Sequence, residues 1–115
     1  MVSISSDIIR GYNDTMILCL LLAKPSYGYE ISKKIREISE EKYAMKETTL
    51  YSAFSRLEKN GFVESFSQTA ENGKRRTYYR ITPEGRTYYR ERCEEWELTQ
   101  EVIGHFVKKD DSTQT

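Results

Sequence analysis

Residues 45–61 read MKETTLYSAFSRLEKNG, and this stretch decides the fold. At about 100° per residue, its apolar side chains fall within about 50° of one direction along a helix; they are Leu50, Ala53, Phe54 and Leu57. The opposite side carries small hydroxyls and a lysine, flanked by an aromatic and an arginine: Thr48, Ser52, Ser55 and Lys59, between Tyr51 and Arg56. One face is therefore predicted to enter a core, while the other suits a phosphate-lined groove.

The two ends of this helix carry different signals. If Lys46 is the N-cap, Met45 and Leu50 occupy the N′ and N4 positions of a hydrophobic staple. Lysine is a poor cap, so a start at Thr48 is the alternative. Gly61 is typical of the C′ position that ends a helix.

The composition predicts one soluble domain. The chain has 115 residues, of which 37% are hydrophobic and 31% charged, with a formal net charge of zero. The charge is unevenly spread: residues 45–81 carry seven positive and four negative charges, and residues 82–115 carry five positive and eight negative. Such a chain can present a basic working face beside an acidic remainder.

Several classes of protein are excluded by what the sequence lacks. No apolar run reaches the roughly 18 residues of a membrane span, and no signal-peptide pattern opens the chain. His105 is the only histidine and has no triad partners nearby, so we expect no catalytic residues. One histidine and two distant cysteines make no zinc site, and we expect neither metal nor cofactor. Cys19 and Cys93 are expected to be buried or interface thiols in a reducing cytoplasm, with a cross-dimer disulfide as the alternative.

Other helices and a hairpin surround the opening stretch. Helices are predicted at 11–24, at 26–39 with Ser26 as the N-cap, and from Thr82-Pro83-Glu84 to about Val107. β-rich runs at 62–67 and 75–81 flank Asn72-Gly73, a hairpin turn signal. Gly28 predicts close approach by another helix or by a DNA backbone. Residues 1–9 are either a frayed arm or the start of the first helix, and the polar tail at 110–115 is predicted to be disordered.

The last predicted helix carries a repeat of seven residues. Tyr89, Trp96 and Ile103 follow this spacing, and Cys93, Val102 and Phe106 widen the stripe. No chain remains to cover it, which favours an intersubunit helix pair. Ile8 and its isoleucine neighbours in the arm are also expected to pack on a second subunit. We therefore divide the chain into a first unit at 1–81, a dimerisation helix at 82–109 and the tail at 110–115.

The order of elements predicts a mainly α fold with a two-stranded β wing, a winged helix-turn-helix followed by a long C-terminal helix. In this arrangement the third helix enters the major groove of double-stranded DNA, and the wing lies along the backbone or in the minor groove. The predicted contacts are Thr48, Ser52, Ser55 and Lys59 to base edges or phosphates, and Tyr27, Tyr51, Lys74, Arg75 and Arg76 to phosphates. Each feature alone has an ordinary explanation as a solvated face or a packing residue, and only their joint occurrence favours DNA.

Residues from about 10 to 98 resemble the PadR-type winged-helix transcriptional regulators. The matching motifs are YGYEI at 27–31, TLY at 49–51, RLEKNG at 56–61 and RRTYYRITPEG at 75–85. The resemblance implies a cytoplasmic, nucleoid-bound homodimer that represses transcription from a pseudo-palindromic operator, with Tyr27, Thr49, Tyr51 and the wing basics near DNA. In some small members a tryptophan on the last helix stacks on a flat aromatic ligand, and Trp96 falls at the matching place. A winged helix used only for protein–protein interaction is the alternative, and a ligand sensor centred on the dimer pore is a third reading.

Overall fold

A computed structural model describes residues 2–108, and most of them are helical. The helices are α1 (Ser6–Ile9), α2 (Asn13–Leu21), α3 (Gly28–Ile38), α4 (Glu47–Lys59) and α5 (Pro83–Gly104), with a 3₁₀ turn at Arg10–Tyr12 between the first two. The strands are β1 (Ser26–Tyr27), β2 (Val63–Thr69) and β3 (Arg75–Ile81). The predicted fold class is therefore confirmed. Within residues 2–108 none of the helices is long and apolar enough to cross a membrane.

The wing belongs to a sheet of three antiparallel strands in the order β1-β3-β2. β2 pairs with β3 from Val63 opposite Ile81 to Thr69 opposite Arg75. β1 adds two residue pairs on the other edge of β3 and was not predicted, because two residues are too short to show an alternating pattern. The prediction that Ser26 is a helix N-cap was wrong. Its backbone belongs to β1, and its hydroxyl instead donates a hydrogen bond to Glu30 in the first turn of α3.

The observed helix ends differ from the predicted ones by a few residues. A short α1 precedes α2, so the chain from 6 to 21 is almost continuously helical and the arm is ordered from Ser5, whose hydroxyl accepts from the Ile8 N–H at 3.3 Å. α2 ends at Leu21 and α5 at Gly104, both about three residues before their predicted ends. The tail at 110–115 lies outside the described residues.

The core forms around the apolar face of α4, as predicted. Leu50, Ala53, Phe54 and Leu57 are buried, and the Phe54 ring stacks on Tyr79 of β3 with a centroid distance of 3.9 Å. The same cluster contains apolar residues from α2, α3 and β2: Ile17, Leu18, Leu21, Ile31, Ile35 and Val63. α4 is thus held from three directions, and its opposite side is left outside.

Both ends of α4 are defined by backbone geometry. It begins at Glu47 with Lys46 as the N-cap, without a side-chain cap, while the staple residue Met45 is buried. At the other end the N–H groups of Phe62 and Gly61 donate to the carbonyls of Leu57 and Glu58 at 2.9 and 3.0 Å. These two bonds form a Schellman motif, for which Gly61 adopts a φ of +79°.

Gly61→Ala is expected to lower the free energy of unfolding by about 1 kcal/mol, because a side chain is disfavoured at positive φ by more than the unfolded chain loses in entropy. A Cβ at this position meets nothing within 4 Å, so the effect is one of backbone conformation alone. Urea unfolding at fixed protein concentration measures it. The matched control is Gly104→Ala, also in open space but at the end of a helix, which should leave stability unchanged or raised. Equal stabilities of the two variants would contradict this account of Gly61.

Candidate nucleic-acid interface

The polar face of α4 is exposed along its length. Thr48, Ser52, Ser55 and Lys59 lie on the side opposite the core, and all four are exposed. Thr49 lies at one edge of this face and is half-buried. The surface combines hydroxyl groups that donate and accept hydrogen bonds with one cation near the C-terminal end of the helix. It has the width of one helix, which fits the major groove.

Arg56 does not belong to this surface, although the sequence placed it at the flank. Its Nε and Nη2 donate to the two carboxylate oxygens of Asp14 in α2, at 3.0 and 2.5 Å. Hydrogen bonding to Asp14 raises the pKa of the Arg56 guanidinium. A helical projection gives the direction of a side chain but not the element that lies opposite, and here that element is α2.

Three of the predicted DNA contacts meet in one open groove between α3, α4 and β3. Tyr27, Tyr51 and Arg76 line this groove, which has a volume of about 500 Å3. The guanidinium carbon of Arg76 lies 4.4 Å from the centroid of the Tyr27 ring, within the range of a cation–π contact. Tyr78 packs edge-on against Tyr27 at 5.1 Å. The groove thus presents two phenolic hydroxyls and a positioned cation beside the polar face of α4.

Gly28 leaves the space that one of these tyrosines needs. A Cβ at Gly28 would lie 2.7 Å from the hydroxyl oxygen of Tyr51. Of the two explanations for this glycine, close approach of another helix is therefore the one observed. The same contact places the Tyr51 hydroxyl at the N-terminal end of α3.

The tip of the wing carries cations in a defined turn. The Gly73 N–H donates to the Ala70 carbonyl at 2.9 Å, and Gly73 has a φ of +84°, as a type I turn followed by a bulge requires. Lys74 and Arg75 follow this turn and are exposed. Arg80, further along β3, is held by Glu64 at 3.1 Å. The wing therefore presents its cations at the tip and in the groove, at Lys74, Arg75 and Arg76.

The predicted dimer residues fall into two groups. Tyr89 and Cys93 are half-buried and face α2 of the same chain. The pKa of Tyr89 is raised, mainly by hydrogen bonding with the thiol of Cys19 and to a lesser extent by hydrogen bonding with the thiol of Cys93. Ile103 and Phe106, further along, are exposed. Cys19 is also exposed within the chain, so of its two expected settings, a buried thiol or an interface thiol, only the interface one fits.

Trp96 lies between these groups and keeps 44% of its surface exposed. The edge of its ring meets Tyr12 at a centroid distance of 5.1 Å and an interplanar angle of 80°. Trp96, Ile8 and Tyr12 line a cleft of about 220 Å3, which also carries Asp7 and the Arg92–Glu95 ion pair. The N-terminal arm and α5 thus come together around Trp96.

Sequence reasoning missed two polar side chains that join distant parts of the chain. Asp14 binds Arg56 across 42 positions of the chain, and the Nη2 atom of Arg92 donates to the Gly11 carbonyl at 2.5 Å across 81 positions. No local pattern indicates a partner so distant in sequence. The available signal was only that Asp14 is a charged residue beside the apolar row of α2.

Comparison with known proteins matches the chain to one family. The model of the "Transcriptional regulator PadR-like family" matches residues 17–91. An uncharacterized protein of Lysinibacillus sphaericus is 43% identical over 105 residues, which are 91% of this chain and 96% of that protein.

Solved structures agree with this match. A transcriptional regulator from Clostridium thermocellum is 65% identical with a TM-score of 0.84, covering 91% of this chain and 99% of that one. A PadR family transcription regulator from Clostridium difficile is 34% identical with a TM-score of 0.74, covering 85% and 100%.

Proposed function

Since the chain belongs to the PadR-like family of transcriptional regulators, which are DNA-binding proteins and not enzymes, we propose that it acts as a homodimeric repressor on a pseudo-palindromic operator. One observation carries the proposal. Tyr27, Tyr51 and Arg76 converge in a groove directly beside the exposed polar face of α4. Phenolic hydroxyls and an arginine are groups that bind phosphate, and they lie where the backbone runs past a helix inserted in the major groove.

In the proposed complex each part of this surface has its own role. Thr48, Ser52, Ser55 and Lys59 face base edges or phosphates in the major groove, with Thr49 at the edge of the contact. Tyr27 and Tyr51 hydrogen-bond phosphates on one side of α4. Lys74, Arg75 and Arg76 follow the backbone or the minor groove next to it, where the negative potential favours cations.

We assign dimerisation to the N-terminal arm and the C-terminal helix, residues 82–109, with residues 1–81 as the DNA-binding unit. The support is a set of exposed apolar side chains on both segments, comprising Ile4, Ile8, Trp96, Ile103 and Phe106. Exposed apolar groups on adjacent segments favour contact with a second copy. Repression places the protein in the cytoplasm on the nucleoid.

Lys74→Ala combined with Arg75→Ala is expected to weaken binding to every duplex by a similar factor. Each lost phosphate contact also reduces the slope of log K against log salt by about 0.9. Fluorescence anisotropy at several salt concentrations measures both effects. Arg90→Ala combined with Lys108→Ala is the matched control: both side chains are exposed, the change in net charge is the same, and neither belongs to the wing or to α4. Because both residues lie within the proposed dimerisation segment, sedimentation must first show that the control is as dimeric as the unaltered protein. If the control changed the slope of log K against log salt by the same amount, the effect would be one of net charge alone.

Ser52→Ala and Ser55→Ala are expected to change sequence preference more than overall affinity, because hydroxyls at base edges discriminate between base pairs. Selection from randomised duplexes compares the preferred sequences of each variant with those of the unaltered protein. If the serine variants, like the wing variant, lowered the affinity for every DNA sequence by the same factor, the assignment of α4 to base edges would be wrong.

A second candidate property is release of the protein from DNA by a small planar ligand, which the cleft beside Trp96 would bind. Trp96 and Tyr12 place two aromatic rings on the wall of this cleft, which suit a flat aromatic molecule. Trp96 is the only tryptophan, so its fluorescence reports on this site alone. Titration with planar cationic dyes should quench the emission at the concentrations that release DNA. Unchanged emission across the series would leave Trp96 as a packing residue.

A further inference from the structure

We propose that the Asp14–Arg56 ion pair sets the orientation of α4 relative to the dimer axis, and so sets the separation of the two half-sites that the dimer accepts. The inference rests on the proposed function, because it requires a dimer that reads two half-sites. It makes Asp14 and Arg56 positioning residues, which touch no base or phosphate themselves.

The geometry of the pair supports a directional role. Two N–H groups of Arg56 meet the two oxygens of Asp14 side by side, an arrangement that fixes angle as well as distance. The Asp14 side chain is only 16% exposed and that of Arg56 is 50% exposed. A partly desolvated pair is screened less than the surface ion pairs of this chain, such as Arg36–Glu41, whose side chains are 55% and 64% exposed.

The pair adds a directional constraint to that of the core. α2 and α4 otherwise meet in the shared apolar cluster, where Ile17 and Leu18 from α2 and Ala53 and Leu57 from α4 are buried. Packing of apolar side chains sets preferred crossing angles between helices, but only to within about 15–20°. The fork at Asp14 narrows this range at the edge of the contact.

α2 passes this restraint on to the proposed dimerisation helix. The Nη2 atom of Arg86 donates to the Leu22 carbonyl just beyond the end of α2 at 3.1 Å. Arg92 donates to the Gly11 carbonyl just before its beginning. α5 therefore donates hydrogen bonds near both ends of α2, and α2 forms the ion pair with α4. In a dimer built through α5, the direction of each α4 is set through this chain of contacts.

The test compares half-site separations on one set of probes. The probes are the tightest duplex selected by the unaltered protein from a random pool, two derivatives with one base pair inserted or removed at the centre, and a duplex carrying a single half-site. One base pair rotates a half-site by about 35° and shifts it by about 3.4 Å. The ratio of affinities between the original and altered separations is the readout.

For the unaltered protein, the affinity for the original separation divided by that for an altered separation should be large. Asp14→Asn and Arg56→Gln should reduce it by about 2- to 30-fold, while affinity for the single half-site stays within about twofold. Arg56→Lys keeps the charge but loses the fork, so it should also reduce the ratio. Glu41→Gln is the matched control, because it also removes one carboxylate and one ion pair without involving α2 or α4, and it should leave the ratio unchanged.

Two results would overturn the inference while leaving the proposed function standing: a ratio unchanged in Asp14→Asn and Arg56→Gln, or an equal loss of affinity for single and paired half-sites. A structural role alone would lower thermal stability without changing the ratio. If the unaltered protein bound none of the duplexes at low salt, the proposed function itself would fail and the inference with it.

Discussion

Phe54→Ala is expected to lower the free energy of unfolding by about 3–5 kcal/mol, the range for removing a buried aromatic ring. Phe54 is 1% exposed at the centre of the apolar face of α4, and its ring lies parallel to that of Tyr79. The substitution removes both the burial and the stacked contact, and it leaves a cavity between α4 and β3. Urea unfolding followed by circular dichroism at fixed protein concentration measures the loss.

Phe66→Ala is the matched control for this experiment. It removes the same side chain from β2, where the ring is half-buried between Tyr78 and Arg80. The free energy of unfolding should fall much less than for Phe54→Ala, because folding buries less apolar surface at this position. Equal losses for the two variants would mean that the wing, and not the apolar face of α4, dominates the core.

Trp96→Ala is expected to weaken the proposed dimer by about 2–4 kcal/mol, roughly 30- to 1,000-fold in its dissociation constant. Trp96 is the largest side chain of the stripe on α5, and Tyr12 already holds its ring in one orientation. A preorganised aromatic anchor contributes more than a mobile one, since little freedom is lost on association. Sedimentation equilibrium over a range of concentrations measures the change.

The matched control is Leu98→Ala. Leu98 is also exposed on α5, but it lies two residues along the helix and therefore about 200° around it. Its removal should leave the dimer intact. An unchanged sedimentation profile for Trp96→Ala, or an equal effect of both substitutions, would contradict the placement of Trp96 in the interface.

The parts of the fold that local chemistry determines were predictable. The apolar row of α4 and the glycine at its end follow from helical periodicity and from the backbone freedom of Gly61. The start of α5 follows from Thr82, whose hydroxyl accepts from the Gly85 N–H at 3.0 Å. The same hydroxyl donates to the Gly61 carbonyl at 2.7 Å, a tie between α4 and α5 that no local pattern indicated.

The parts that depend on distant partners were not predictable. Ser26 and Tyr27 form a strand because β3 offers a free edge, and nothing in two residues indicates that edge. Arg56 was placed at the flank of the polar face, where its angle on the helix allows either side, and only Asp14 decides between them. Within the candidate site, the sequence supplied Tyr27, Tyr51 and Arg76 individually. Their convergence in one groove required the packing of α3, α4 and β3.

The most direct test of the central claim is the salt dependence of binding to the DNA upstream of the protein's own gene. If Lys74, Arg75 and Arg76 of both subunits each meet a phosphate, log K should fall with log salt with a slope of about −5 from the wings alone. A random duplex should bind more weakly at every salt concentration. Absence of binding to both duplexes at low salt would contradict the account and favour a winged helix that contacts only proteins.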